Sequence, residues 1–377
     1  MDSNKIKLML ALVVSVWMAT GCTTENKIVE EKAQQPKNII LLIGDGMGLS
    51  QVSTAFYFQD KKPNFQRFET VGLIRTSSSS HRITDSAAGA TAFSAGVKTY
   101  NGAIGVDKDT ASVATLVEIA SEKGMKTGLI ATSSITHATP ASFFAHEKSR
   151  GMQDEIAAWM PESGVDYFAG GGLKYFADRK DGKDYIEKLT QNGFEMDTIG
   201  DGLDKALDKN KKYGFLLAKD GLPKMIDGRG DFLAKSTAQA LEYLSGTEEG
   251  FFLMVEGSQI DWGGHANDGE YLVGEVLDFD QTLGVALDYA EKHGNTLVVV
   301  TADHETGGAT LASGKITDDK GVEKTSYNKI SLSFSTGGHS ATLIPVFAHG
   351  VNSAQFTGIY ENTEIFDKLL PYVKKGE

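Results

Sequence analysis

Cysteine is nearly missing from this chain of 377 residues: Cys22 is the only one, so no disulfide can close within it. Basic residues are also scarce, 37 Lys and Arg against 50 Asp and Glu, and the net charge of −13 gives no overall field that attracts a polyanion such as nucleic acid. An anionic substrate would need a local attraction, which bound cations can supply. No internal repeat is present, and the early apolar run from Leu8 to Met18 is too short to span a bilayer.

That run follows Lys5 and Lys7 and ends in Ala19-Thr20-Gly21-Cys22, the layout of a secretory signal with small residues before a cleavage point. The solitary cysteine stands directly after them, and Thr23 to Gln35 is polar and charged. The pattern resembles a bacterial lipoprotein signal. It predicts residues 1–21 as signal, 22–36 as a flexible tether lipidated at Cys22, and a periplasmic or outer-membrane-attached product. An ordinary signal with an incidental cysteine is the other reading.

Asn38 to Ile43 is a continuous apolar run ending in Gly44-Asp45-Gly46, as expected of a strand buried on both faces. Lys126 to Thr132, Phe251 to Val255, Thr296 to Ala302 and Leu343 to Ala348 repeat that character. Helical spacing lies between them, as at Leu272, Val276, Phe279, Leu283 and Leu287 within Tyr271 to His293. The alternation predicts an α/β fold, a central mostly parallel sheet with helices on both faces. Residues 37–377 form its domain, with insertions at about 152–231 and 313–328, the latter a polar surface excursion.

In such sheets ligands gather at the carboxyl ends of the strands. Asp45, Glu256, Asp303 and His304 all stand just after strand runs. Asp261 and His265, four apart, can grip one ion from one helix face, although alone the pair equally suits a surface or a cap. His339 follows Gly337-Gly338. This inventory suits zinc, and two zinc ions about 4 Å apart can hold the attacking and leaving oxygens of a phosphoryl displacement. Asp45, Glu256 and the Thr139 hydroxyl would suit magnesium, which prefers oxygen.

Thr84-Asp85-Ser86-Ala87-Ala88-Gly89 lets a helix begin near Ser86. A serine there can be a plain N-cap, or a nucleophile whose phosphoryl adduct the helix dipole stabilises. Arg150 can be a solvated surface charge, or a fork for two phosphate oxygens.

Ile43-Gly44-Asp45-Gly46-Met47-Gly48, Thr84 to Ala88, Glu256 to His265, Thr301 to Glu305 and Gly337-Gly338-His339 together resemble the alkaline phosphatase family, in the family's order and across residues 37 to 350. The likeness is closest to compact bacterial cold-environment types, because the crown-type excursion before His339 is short. It implies hydrolysis of small phosphate monoesters through a phosphoserine at Ser86, with two Zn2+ and one Mg2+ per subunit. By the same resemblance Arg150 binds phosphate and Asp85 orients Arg150 or caps the helix. Asp261, His265 and His339 match the ligands of the zinc that activates water and steadies the leaving group. Asp45, Asp303 and His304 match those of the zinc at the serine, and Asp45, Thr139 and Glu256 the magnesium site. An alkaline optimum and a homodimer are further implications, with nucleic acid engaged at most through terminal phosphates.

Two positions depart from the enterobacterial pattern: His137 replaces an aspartate and Trp262 a lysine. Both are expected to stand behind the ligands, and they put the tightness of the third site in question. His81, His146, His293 and His349 match no ligand position. The rivals are a phosphodiesterase, sulfatase or other metallohydrolase of the same superfold, and a non-catalytic lipoprotein binding metal or phosphate. No cysteine beyond Cys22 is available for a sulfatase-type aldehyde.

Overall fold

Every residue of Asn38–Gly44 (β1) is buried, and an apolar strand without alternation must be covered on both faces. In the computed structural model, which describes residues 35–374, β1 lies inside a ten-stranded sheet. The expected signal, Cys22 and nearly all of the tether fall outside the described residues. The remaining strands are β2 Thr70–Arg75, β3 Lys126–Ser134, β4 Tyr167–Gly171, β5 Phe194–Asp197, β6 Lys212–Leu216, β7 Phe251–Gly257, β8 Thr296–Thr301, β9 Glu305–Thr306, β10 Thr310–Thr317, β11 Glu323–Ser333, β12 His339–Ser340, β13 Ile344–Gly350 and β14 Gly358–Glu361. The order is β14-β2-β13-β8-β1-β7-β3-β4-β6-β5.

Within this sheet pairing is parallel except at β13, which runs antiparallel to β2 and β8, while β10 with β11 and β12 with β9 form separate antiparallel pairs. The helix Gly269–His293 packs on β1, β7 and β8, and Phe232–Leu244 on β3 and β7. Their apolar faces cover the central strands, giving the mostly parallel, helix-flanked sheet that the strand and helix runs imply. Among the described residues no helix is long and apolar enough to cross a membrane.

The register positions the chemistry. Ile43 of β1 lies opposite Glu256 on one side and Thr301 on the other. Asp45, Glu256 and Asp303 therefore emerge together at one end of three wholly buried strands.

Two stretches carry strands that the sequence reading did not foresee. Residues 152–231 were expected as an insertion, yet they contribute β4, β5 and β6 to the main sheet. These strands are only five, four and five residues long, too short to stand out as apolar runs. The excursion 313–328 belongs to an antiparallel hairpin, β10 with β11. Both its strands are mostly exposed, so neither shows the alternation that marks a half-buried strand.

Candidate active site

The turn after β1 sets the first ligand position. Gly46 has φ +72°, and a Cβ there would lie 2.8 Å from Asp261 Cα, so glycine alone fits. Its N–H donates to Asp303 Oδ1 at 3.2 Å, binding the ends of β1 and β8. Asp45 is fully buried, and neither of its carboxylate oxygens has a partner. Burial pushes its carboxyl well above the ordinary range, and Asp303, Asp261 and Glu256 add to that.

Asp261 and His265 occupy the helix Gln259–His265, with Asp261 Oδ1 3.4 Å from His265 Nε2 and 3.7 Å from His339 Nε2. The tautomers follow from the partners. His265 Nδ1 donates to Gly337 O at 2.7 Å, and His339 Nδ1 donates to Thr84 O at 2.9 Å; a carbonyl can only accept. In neutral rings both Nε2 atoms then carry lone pairs, and they face each other at 3.1 Å. Two acceptors beside a carboxylate repel unless a cation sits between them.

His304 repeats the pattern. The Thr306 hydroxyl donates to Asp261 Oδ1 at 2.5 Å, so it accepts from His304 Nδ1 at 3.2 Å. The His304 Nε2 lone pair is thereby directed at Asp303 Oδ2, 3.2 Å, Asp45 Oδ1, 3.5 Å, and Ser86 Oγ, 3.3 Å. Without a cation the ring would take a proton instead: burial opposes this, but Asp303 raises His304 above its ordinary range, and the charged ring together with the Gly46 N–H in turn holds the Asp303 carboxyl well below its own, against burial. Thr306 was not foreseen. Nothing marks it in the sequence, since its role arises where β9 meets the helix that carries Asp261.

Asp45, His137 and Glu256 form the third group, their ligand atoms within 4.8 Å of one another. Glu256 Oε1 and Thr139 Oγ1 are buried without partners there. His137 thus lies close beside the carboxylates of this site. Its Nε2 accepts from Arg150 Nη2 at 3.3 Å, which puts the ring proton on the orphaned Nδ1. Burial, reinforced by Arg150, lowers the ring to about 4, so it stays neutral near pH 7. Trp262 meets His137 edge-on, centroids 5.9 Å apart.

Ser86 opens the helix Ser86–Ala95 and is buried. Asp85 performs both expected roles: Oδ1 accepts from Ala88 N at 3.1 Å, capping the helix, and Oδ2 accepts from Arg150 Nη1 at 3.1 Å. At Gly89 a Cβ would lie 2.9 Å from Asp303 Cβ; its absence lets this helix approach β8. All thirteen residues expected at the site converge on one region. His146 is engaged elsewhere, bonded to Gly105 O and Glu118.

Buried orphan oxygens and facing lone pairs are a donor set built for cations. A serine and a guanidinium beside them fit transfer of a phosphoryl group.

The family model described as alkaline phosphatase matches residues 36–322. Alkaline phosphatase 3 of Bacillus subtilis (strain 168) is 37% identical, over 92% of this chain and 92% of its own length. Alkaline phosphatase from the Antarctic bacterium TAB5 has a solved structure that is 53% identical, with a TM-score of 0.86, covering 92% of this chain and 100% of that one. A TAB5 variant with one histidine changed to aspartate, 54% identical with a TM-score of 0.86 and the same coverage, was solved with Mg bound in its M3 site.

Proposed function

This chain belongs to the alkaline phosphatase family and is a metal-dependent phosphomonoester hydrolase, and from that premise we propose that Ser86 is its nucleophile and that two zinc ions and one magnesium ion serve it. The zinc ions fall to Asp261, His265 and His339, and to Asp45, Asp303 and His304. The magnesium falls to Asp45, Thr139 and Glu256, with His137 in reach. The observation that carries the reading is the pair of imidazole lone pairs at 3.1 Å, flanked by a carboxylate.

When bound, the cations supply positive charge that eases ionisation of a hydroxyl and expulsion of an alkoxide. Arg150, steadied by Asp85, binds two non-bridging phosphate oxygens. The Ser86 Oγ–P bond forms as the bond to the leaving oxygen breaks, the serine proton passing to solvent and the departing alkoxide taking one up. Water then cleaves the phosphoserine, restoring the hydroxyl and releasing inorganic phosphate. Positioning and charge do most of the work.

Exhaustive chelation is expected to abolish turnover of p-nitrophenyl phosphate, and zinc with magnesium to restore it, with about two zinc ions per chain by metal analysis. Full turnover after chelation would overturn the reading.

His137 bears on the third site. Its Nε2 lone pair is committed to Arg150, so the ring either steadies Arg150 or coordinates an ion. A carboxylate can do both, and a TAB5 histidine-to-aspartate variant carries Mg in its M3 site. His137→Asp is therefore expected to tighten Mg2+ binding by about tenfold or more in calorimetric titration.

The same reading has the enzyme exported, tethered through a lipid on Cys22 and paired as a homodimer. The solitary cysteine after a small-residue stretch supports the anchor, and the family resemblance supports the pairing.

A further inference from the structure

Glu256 is fully buried near the end of β7, and its two oxygens have different surroundings. Oε2 accepts from the Ser258 hydroxyl at 2.5 Å and from the Ser133 hydroxyl at 3.3 Å. Oε1 is equally buried and has no partner. Glu256 belongs to the group with Asp45 and His137 whose ligand atoms lie within 4.8 Å of one another, and Oε1 is its oxygen left free for an ion.

Ser258 is itself held from two sides. Its N–H donates to Thr132 Oγ1 at 2.9 Å, and its Oγ accepts from Ser133 N at 3.0 Å, with Ser133 Oγ also 3.0 Å away. The parallel register of Ala131 with Glu256 brings these β3 residues level with Ser258. A hydroxyl has one proton, and the short contact to a carboxylate claims it. The last torsion of a glutamate is broad, so a free carboxylate would turn and exchange its oxygens; a donor fixed by neighbouring backbone prevents that.

We propose that Ser258, backed by Ser133, is a positioning residue for the third cation, holding Oε2 of Glu256 so that Oε1 is the oxygen presented to the ion. The proposal rests on assigning Asp45, Thr139 and Glu256 to a magnesium ion. Groups that orient a ligand are typically worth about ten- to a hundredfold in metal affinity. Neither serine stands out in the sequence, because both act only where β3 and β7 lie side by side.

The test is calorimetric titration of MgCl2 into full-chain enzyme with its zinc sites filled, for wild type, Ser258→Ala, Ser133→Ala and Glu256→Gln. The dissociation constant for Mg2+ is expected to rise about tenfold or more in Ser258→Ala and less in Ser133→Ala, and binding to vanish in Glu256→Gln, with zinc content unchanged in the serine variants. Loss in Glu256→Gln with an unmoved constant in Ser258→Ala would overturn the positioning role while leaving the third site standing. Undiminished binding in Glu256→Gln would instead overturn the site. A lower unfolding temperature without Mg2+, but the same Mg2+ constant, would reduce Ser258 to packing. If Ser258→Ala does not fold, Ser133→Ala decides, and an unmoved constant there overturns the proposal.

Discussion

Ser86→Ala is expected to lower kcat for p-nitrophenyl phosphate by about 10⁴-fold or more, because the variant removes the attacking atom and little else. Ser86 Oγ is one atom at a helix start, 3.3 Å from His304 Nε2. Asp85 still caps the helix and still holds Arg150 without it. The metal clusters keep all their ligands, so the variant separates nucleophile from charge. Intact mass after a brief acid quench with substrate reads the covalent step directly. Wild type should gain one phosphate mapped to Ser86, whereas Ser86→Ala and chelated wild type should gain none. Undiminished turnover in Ser86→Ala would sink the serine route and favour direct attack by water.

Asp45→Asn should have two effects of opposite sign. Asp45 belongs to the group with His137 and Glu256 and to the group with Asp261 and His304. One substitution therefore weakens two sites, and turnover is expected to fall by about 10³-fold. Without metal the same carboxylate is a liability, fully buried with both oxygens unpartnered. Chelated Asp45→Asn is expected to be about 1–3 kcal/mol more stable than chelated wild type near pH 8. The pH dependence has a definite sign. Burial and the neighbouring carboxylates raise the folded-state pKa above the unfolded value. Between those two values the folded chain binds more protons, so wild-type stability falls as pH rises through that window, while the amide does not titrate. The gap between variant and wild type should therefore widen as pH rises above the ordinary carboxylate range in denaturant titrations. A chelated wild type more stable than Asp45→Asn at pH 8 would refute the account.

The central strands were legible because burial on both faces leaves an unbroken apolar run, and the polar residue ending such a run is conspicuous. Asp45, Glu256 and Asp303 were found that way. Strands β4 to β6 were not, since four or five residues leave no period to detect, and the β10–β11 hairpin has no buried face to impose one. At the site, residue types that ligate metals announced themselves at strand ends. The hydroxyls of Thr306, Ser258 and Ser133 did not, because a serine or threonine acquires such a role only through a neighbour distant in sequence. How near His137 comes to Asp45 and Glu256 was not legible either, since that depends on how the segment after β3 turns.

The two histidine clusters are also anchored differently. Asp45, Asp303 and His304 have no exposed side-chain surface and hang from the innermost strands. His265 is 41% exposed and His339 13%, and His339 sits on a two-residue strand after a pair of glycines. An ion at the inner cluster can escape only when the sheet end itself opens, whereas one at the outer cluster leaves along an imidazole already in contact with water. Inactivation by a chelator should accordingly be biphasic. On the proposed assignment of the ions, the half-emptied enzyme would keep its serine primed but lose the means to part with the alcohol, making the outer histidines the weak link when metal is scarce.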